Sequence, residues 1–174
     1  MKVKDFNTDI FKLFDNQWAL VTVGNQDTFN TMTISWGTLG SLWGNANQAK
    51  NICSIFVKPV RYTHEFLEES DYFTVSFLPE SLENRKAYAL LGSKSGRDTD
   101  KVAESGLTPK FLEHGVTFDE AETVFVCHKI FQQKLDKANI PQFAVDQFYA
   151  GDTPADAPHD MFVGEVEEIL VKSK

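Results

Sequence analysis

The stretch WALVTVGNQDTFNTMTISW (residues 18–36) decides the fold class of this chain. Its first part, Trp18–Val23, is an apolar run rich in β-branched residues, which favour strands. Its last part, Asn30–Trp36, alternates hydroxyl side chains with mostly apolar ones, the period expected of a strand. The polar residues Gly24–Thr28 between the two parts predict a turn. The stretch therefore predicts two strands joined by a turn, as in an antiparallel sheet.

Four further runs have the composition of strands: Ile52–Val57, Tyr72–Leu78, Val124–Phe131 and Met161–Val171. Helices are predicted in the connections, at His64–Ser70 with Thr63 as N-cap, from Pro79 to Leu91, and at Thr99–Ser105 after Asp98. The segment Asn139–Asp160 carries three prolines and is expected to wrap the surface. Because strands and helices do not alternate regularly, we predict a mainly β protein, a β-barrel with peripheral helices in one domain over residues 1–174.

Composition excludes several classes of protein. The chain has 17 Lys+Arg against 25 Asp+Glu, a formal charge of −8, and no basic segment that would bind a nucleic-acid backbone. No run approaches the ~20 apolar residues that cross a bilayer, and the N-terminus lacks a signal-peptide pattern. The two cysteines, Cys53 and Cys127, form no CxxC pair and are expected to be reduced and buried. We therefore expect a cytoplasmic protein without nucleic-acid or membrane partners.

Familiar catalytic motifs are missing from the sequence. There is no GxGxxG after the first strand, no GxxxxGK[ST] and no GxSxG. The four histidines do not pair at metal-ligand spacing, so no metal site is predicted. With no catalytic side chains predicted, a reaction carried by a bound cofactor gains weight.

Three segments have the composition of a phosphate-binding pocket, although each also has an ordinary explanation. Thr31, Thr33 and Ser35 put three hydroxyls on one face of a strand, which is equally typical of an exposed strand face. The segment 58–63, KPVRYT, brings an arginine to a helix N-terminus, which is equally typical of an N-cap beside a solvated side chain. The segment 92–101, GSKSGRDTDK, combines glycines with three basic residues, but Gly and Ser are ordinary in loops.

The chain resembles the flavin reductase-like, flavoredoxin-type proteins. The resemblance rests on an ordered set of segments: NTMTISW (30–36), GSLWG (40–44), VKPVRYTHEFLEESDYFTVSF (57–77), SGRDTDKVAESGLTP (95–109) and MFVGEVEEILV (161–171). It implies a split β-barrel with Greek-key antiparallel strands. It also implies a homodimer that binds FMN at the subunit interface.

Carried over by position, the resemblance implies contacts with FMN from four parts of the chain. The implied cofactor-binding residues are Asn30, Met32, Thr33, Ser35, Trp36, Ser41, Arg61, Tyr62, Thr63, Ser95, Gly96, Arg97 and Lys101. Trp43 and His159 are the candidates for the substrate site. On this interpretation the residues that bind FMN are Arg61, Thr63, Ser95 and Arg97, while Thr33 and Ser35 orient the ring.

The chain departs from the family pattern at two places. Residues 44–51, GNANQAKN, are longer and more polar than the family's connection there, and could extend a hairpin across the mouth of the flavin site. Lys58 stands where many relatives have Arg, which keeps the charge but loses the bidentate geometry. Both departures bear on the choice of substrate.

The resemblance implies an FMN-dependent NAD(P)H:flavin oxidoreductase, in which hydride passes from NADH or NADPH through bound FMN to a second flavin or another acceptor. A flavoredoxin-like electron carrier, which exchanges electrons with a protein partner, needs the same pocket. A non-catalytic ligand-binding barrel is the alternative from a different class. The sequence leaves these alternatives open.

Overall fold

Across residues 1–172, which the computed structural model describes, nine strands and five α-helices follow one another. The strands are β1 (Ala19–Gly24), β2 (Phe29–Ile34), β3 (Gly37–Leu42), β4 (Lys50–Val57), β5 (Tyr72–Phe77), β6 (Pro109–Leu112), β7 (Gly115–Phe118), β8 (Thr123–Lys134) and β9 (Asp160–Val171). The helices are α1 (Ile10–Asp15), α2 (Tyr62–Glu69), α3 (Leu82–Ser93), α4 (Lys101–Ser105) and α5 (Gln142–Phe148). Positions 173 and 174 of the predicted domain lie outside the described residues.

In this part of the chain a seven-stranded antiparallel sheet has the order β2-β1-β5-β8-β9-β4-β3. The sheet curls, so that β2 at one end approaches β4 near the other end. The β6–β7 ribbon packs across β5, where the Thr74 hydroxyl donates to the Val116 carbonyl at 2.5 Å. The predicted fold class, an antiparallel mainly β barrel with peripheral helices, is confirmed.

Two apolar cores hold the sheet and helices together. The larger core fills the inside of the curled sheet, where the Phe77 ring packs edge-on against Phe14 at 5.5 Å and against Phe125 at 5.4 Å. Burying one such side chain contributes about 1.5–3 kcal/mol to stability. The second core lies beneath α3 around Tyr88, whose hydroxyl accepts the Leu78 N–H at 2.8 Å. As a result β2 contacts α2 and α3, and these three elements frame the candidate site.

The strands rich in apolar residues are found where the sequence predicts them, but β3, β6 and β7 are not predicted. β3 reads GTLGSL, and β6 and β7 have four residues each, so none offers a long alternating run. The short helices α1 and α5 are missed for the same reason. Pairing within the sheet, rather than intrinsic propensity, makes β3 a strand: Gly37 to Leu42 pair with Ile55 to Lys50.

All three predicted helix starts are wrong by two or three residues. In each case a residue other than the predicted one is the N-cap of the helix. Arg61 is the N-cap of α2, and Thr63 lies in the first turn with its hydroxyl occupied elsewhere. α3 begins after Ser81, whose hydroxyl accepts the Asn84 N–H at 3.0 Å, and not at Pro79. α4 is capped by Asp100 rather than Asp98.

Both cysteines are free and fully buried, as predicted. Among residues 1–172, every helix is too short or too polar to span a bilayer.

Candidate functional site

A groove runs along the outer edge of β2, between the start of α2 and the end of α3. β2 is the outermost strand of the sheet on that side, so its outward backbone groups have no neighbouring strand. The groove has two parts, which share Met32, Val60 and Arg61 and are therefore continuous.

We call the first part the cationic end. It has a volume of about 90 Å³ and is lined by Asn30, Met32, Val60, Arg61, Tyr62, Thr63, Leu91, Gly92, Lys94, Ser95, Arg97 and Lys101. The second part, the aromatic end, has a volume of about 380 Å³ and is lined by Met32, Thr33, Ile34, Ser35, Trp36, Phe56, Lys58, Val60, Arg61, Ala155 and His159.

Arg61 and Lys101 bring positive charge to the cationic end without a carboxylate to balance it. Within residues 1–172 the Arg61 guanidinium forms no hydrogen bond or ion pair. Lys101 is only 4% exposed, and in the part of the chain that the structure describes its ammonium donates solely to the carbonyls of Leu91 and Lys94, at 3.3 and 3.2 Å. Burial, with a further contribution from the Arg61 charge, lowers the pKa of Lys101 to about 8. An anion in this end of the groove would therefore meet two unpaired cations.

The other two basic side chains at this end are already paired. Lys94 forms an ion pair with Glu104, and Arg97 forms one with Glu65. The Arg97 guanidinium also lies over the Tyr62 ring, 4.7 Å from its centroid. Arg97 therefore holds the loop after α3 against the start of α2.

Polar groups of α2 complete the cationic end. The backbone N–H groups of Tyr62 and Thr63 have no acceptor within the described part of the chain. The Thr63 hydroxyl accepts a buried hydrogen bond from Asn30 Nδ2 at 2.7 Å, so its own hydrogen is available to a ligand. A Cβ at Gly96 would overlap Asn30 Oδ1, so glycine is needed for the loop to approach this closely.

The aromatic end is walled by rings from separate segments. The Trp36 ring lies 4.6 Å from the His159 ring and 5.1 Å from Phe148 between centroids. Phe148 belongs to the segment 139–159, which we call the strap. The Lys58 ammonium donates to the strap carbonyls of Phe148 at 3.2 Å and Ala155 at 2.8 Å. Lys58 thus fixes the strap beside the groove, and its charge is shared with these carbonyls.

His159 is neutral in this environment. Burial, followed by the positive charges of Lys58 and Arg61, lowers its pKa to about 4. Its Nδ1 lies 2.8 Å from the Tyr149 hydroxyl.

The hydroxyl row of β2 does not form a single ligand-facing surface. The Thr31 hydroxyl is buried against that of Thr22 at 2.9 Å, and the Thr33 hydroxyl donates to the Tyr88 carbonyl at 2.6 Å. The groove follows the edge of the strand rather than one face, so side chains from both faces line it, including Met32 and Ser35. The Thr31 hydroxyl is thus taken up by β1 and the Thr33 hydroxyl by α3, and of the three only the Ser35 hydroxyl has no partner in the described structure.

Most of the residues singled out from sequence are brought together here. The groove is lined by the predicted residues of segments 30–36 and 61–63, and by Ser95, Arg97, Lys101 and His159. Gly96 packs against Asn30 beside the groove. Ser41 and Trp43 are not among the groove-lining residues described. Ser41 pairs with Asn51 in the β3–β4 hairpin, and the Trp43 ring packs edge-on against Phe131 at 6.1 Å.

Sequence reasoning missed Phe56, Ala155 and the aromatic residues of the strap. Nothing in the local pattern of residues 139–159 indicates which rings reach the groove, because their position depends on Lys58 and Trp36, about 100 positions earlier.

Comparison with solved structures shows the same fold. An FMN-binding protein from Thermus thermophilus, solved with bound 1-cyclohex-2-enone, superposes with a TM-score of 0.64 at 20% identity, covering 98% of this chain and 80% of that one. A flavoredoxin from Methanosarcina acetivorans gives 0.66 at 18% identity, covering 97% and 74%. A Streptomyces globisporus NADH:FAD oxidoreductase gives 0.64 at 18% identity, covering 90% and 75%.

Curated proteins offer no match to the sequence. A family model described as Flavin reductase like domain matches residues 11–174, nearly the whole chain. The chain therefore belongs to the flavin reductase-like domain family.

Proposed function

We propose that the chain is a single FMN-binding domain and an oxidoreductase that takes hydride from NADH or NADPH and passes electrons to a second flavin or another acceptor. Its family membership supports a flavin-dependent reaction. FMN is favoured as the cofactor because similar structures include an FMN-binding protein and a flavoredoxin. Bound FMN would supply the centre that accepts hydride and releases electrons.

The observation that carries this proposal is the pair of uncompensated cations at the cationic end. A phosphate monoester carries about −1.5 to −2 charges at pH 7, which matches the charges of Arg61 and Lys101. The N–H groups of Tyr62 and Thr63 point to the same use, since helix N-termini bind phosphate through such groups. The residues present therefore fit the phosphate of FMN.

The aromatic end fits a planar ring system connected to that phosphate. Its larger volume of about 380 Å³ adjoins the cationic end through Met32, Val60 and Arg61, so one ligand can occupy both. We assign Met32 and Trp36 to packing against the ring. Ser35, which forms no side-chain hydrogen bond in the described structure, and His159 are assigned as its polar contacts.

The remaining predicted residues support the ligand indirectly. Asn30 holds Thr63, and Gly96 allows the loop to reach Asn30. Ser95 accepts the Arg97 N–H at 3.2 Å and keeps its own hydroxyl hydrogen for a phosphate oxygen. We assign Arg97 to orienting Tyr62 and the loop rather than to serving as the main anion ligand.

Anaerobic stopped-flow mixing of the FMN-loaded protein with NADH and with NADPH tests the reaction. Rapid loss of the oxidised flavin absorbance with either nucleotide is expected. If neither nucleotide reduces the flavin but a chemical reductant does, the electron-carrier alternative is correct. A protein that binds no FMN would be a non-catalytic barrel.

We also propose a homodimer. Phe11 is 88% exposed and Trp36 is 38% exposed, and both line an apolar cavity of about 600 Å³ that adjoins the groove through Ser35, Trp36 and Phe56. A second copy would cover this surface and could bring Ser41 and Trp43 of its hairpin to the groove. Light scattering is expected to give about twice the chain mass of 19.7 kDa, and a mass of one chain at micromolar concentration would contradict the dimer.

A further inference from the structure

Tyr149 lies at the end of α5, behind His159 as seen from the groove. Its side chain is buried, with only 3% of the residue exposed, and its ring packs edge-on against the His159 ring at 5.8 Å. Tyr149 is not a lining residue of either end of the groove. Its hydroxyl can therefore act on a ligand only indirectly, and the groove-lining side chain that the hydroxyl contacts is His159.

The position of Tyr149 is fixed by contacts on both sides. The Lys58 ammonium lies 5.3 Å from the centre of the Tyr149 ring and binds the carbonyl of the preceding residue, Phe148. The ring of Phe148 packs edge-on against Trp36 in the groove wall. This part of the strap therefore places the phenolic hydroxyl at a defined point, 2.8 Å from His159 Nδ1.

The available hydrogen-bond partners determine which atom donates between the Tyr149 hydroxyl and His159 Nδ1. Within residues 1–172 the only side-chain partner of the Tyr149 hydroxyl is His159 Nδ1, and the backbone of His159 also forms a hydrogen bond with the phenol. If Nδ1 carried the hydrogen, the buried phenolic hydrogen would be left unpaired, at a cost of about 1–3 kcal/mol. If the phenol donates, both groups are satisfied, because neutral imidazole has one acceptor nitrogen. Nδ1 is therefore the acceptor, and the imidazole hydrogen is on Nε2.

The Nε2 atom of His159 is accessible to solvent. In the described structure it has no hydrogen-bond partner, and no buried polar side-chain atom is left without one, so Nε2 retains contact with solvent. His159 lines the aromatic end, where we assign the ring of FMN. An Nε2–H group there can donate to a carbonyl oxygen or ring nitrogen of a flavin or nicotinamide.

We infer that Tyr149 is a positioning residue, which fixes His159 in the Nε2–H tautomer so that the groove presents a neutral hydrogen-bond donor to the ring system. This inference rests on the proposed function for the identity of the ligand. The tautomer itself depends only on the contacts within the chain.

The charged groups around the pair favour the same protonation state. Lys58 and Arg61 face His159 with positive charge and oppose its protonation. The neighbouring carboxylate of Asp160 is bound to His64 Nε2 at 2.8 Å, and Asp156 is held by Thr153. Burial also raises the pKa of the Tyr149 phenol, which therefore keeps its hydrogen. A neutral imidazole remains a donor over the whole physiological range of pH.

Nitrogen-15 NMR of the histidine side chains in the apoprotein tests the inference without any ligand. For the wild type we expect unprotonated Nδ1 and protonated Nε2 at pH 7, with titration near pH 4. In Tyr149→Phe, which keeps the ring and removes the donor, we expect a mixture of tautomers and a His159 pKa raised by about one unit. Tyr72→Phe removes a phenolic hydroxyl that binds Glu167 instead, and should leave the His159 signals unchanged.

A wild-type spectrum that shows the hydrogen on Nδ1, or a mixture of tautomers, would overturn the inference. This measurement does not depend on the folding of any variant. An unchanged tautomer and an unchanged His159 pKa in a folded Tyr149→Phe would overturn it as well.

FMN is added in a second step, and its binding should shift the Nε2 signal. Tyr149→Phe should weaken FMN binding about 2- to 12-fold, the value of one neutral hydrogen bond. A fixed tautomer without any response to FMN would contradict the proposed function and leave the positioning of His159 standing.

Discussion

The guanidinium of Arg61 and the ammonium of Lys101 face the same end of one groove, and neither has a carboxylate partner in the described structure. Two like charges placed together in a partly buried site destabilise the protein unless a ligand balances them. Burial first, and the charge of Arg61 second, lower the pKa of Lys101. The pair therefore identifies the groove as a binding site for an anionic ligand more directly than any single residue does.

Binding of FMN should be coupled to proton uptake by Lys101. The pKa of Lys101 is lowered to about 8 in the ligand-free groove, and a nearby phosphate favours the charged form, so binding raises this pKa. Near pH 8 the complex should take up a fraction of a proton, and FMN affinity should fall as the pH rises above 8. Calorimetry in buffers of different ionisation enthalpy measures the uptake. Lys101→Met should bind FMN more weakly without proton uptake, whereas equal uptake in both proteins would exclude Lys101.

Arg61→Ala should weaken FMN binding about 10- to 150-fold, because it removes a charge-assisted hydrogen bond worth about 1.5–3 kcal/mol. Since the side chain is exposed and forms no hydrogen bond or ion pair within the described chain, its loss should not lower the melting temperature of the apoprotein, and relief of its repulsion with Lys101 should raise that temperature slightly. Fluorescence titration and thermal melting measure the two quantities. Lys86→Ala, on the exposed face of α3, is the control and should change neither.

Thr33→Val and Ser35→Ala should have opposite effects, although both remove a hydroxyl from the same face of β2 or its extension. The Thr33 hydroxyl donates to the Tyr88 carbonyl, so its loss should lower the free energy of unfolding by about 0.5–1.5 kcal/mol and change FMN affinity little. Both side chains line the groove, but only the Ser35 hydroxyl has no partner in the described structure, so Ser35→Ala should weaken FMN binding and spare stability. Melting and FMN titration of both variants check this, and the reverse pattern would place the ligand against α3.

Gly96→Ala should weaken FMN binding through a displaced neighbour. The added methyl group would overlap Asn30 Oδ1, so the Asn30 side chain must move and release its hydrogen bond to Thr63. We expect a loss of affinity of about 2- to 12-fold, that of one hydrogen bond. Gly40→Ala is the matched control, since a Cβ there meets no atom within 4 Å. Equal affinities in the two variants would show that Asn30 does not shape the site.

The sequence predicts the parts of the fold that depend on local pattern. Strands β1, β2, β4, β5, β8 and β9 have long apolar or alternating runs, and the order of motifs leads to the family. β3 escapes prediction because its glycine-rich segment becomes a strand only by pairing with β4. Thr63 is misjudged as an N-cap because its hydroxyl is used by Asn30, a partner 33 positions away.

The site is predictable to a similar extent. Arg61, Lys101 and the β2 residues follow from motifs, but local alternation predicts a ligand facing one side of β2, whereas the groove follows its edge. The contribution of Tyr149 depends on the path of the strap across the surface. No local rule gives that path, because it is fixed by the long-range contacts of Lys58.

The most direct test compares FMN with riboflavin, which lacks the phosphate, in calorimetric titrations of the wild-type apoprotein and of the Arg61→Ala/Lys101→Met double variant. We predict that the wild type binds FMN at least about 10-fold more tightly than riboflavin, and that the double variant loses most of this preference. Equal affinities of the wild type for the two flavins, or a full preference for FMN in the double variant, would contradict the placement of the phosphate between Arg61 and Lys101.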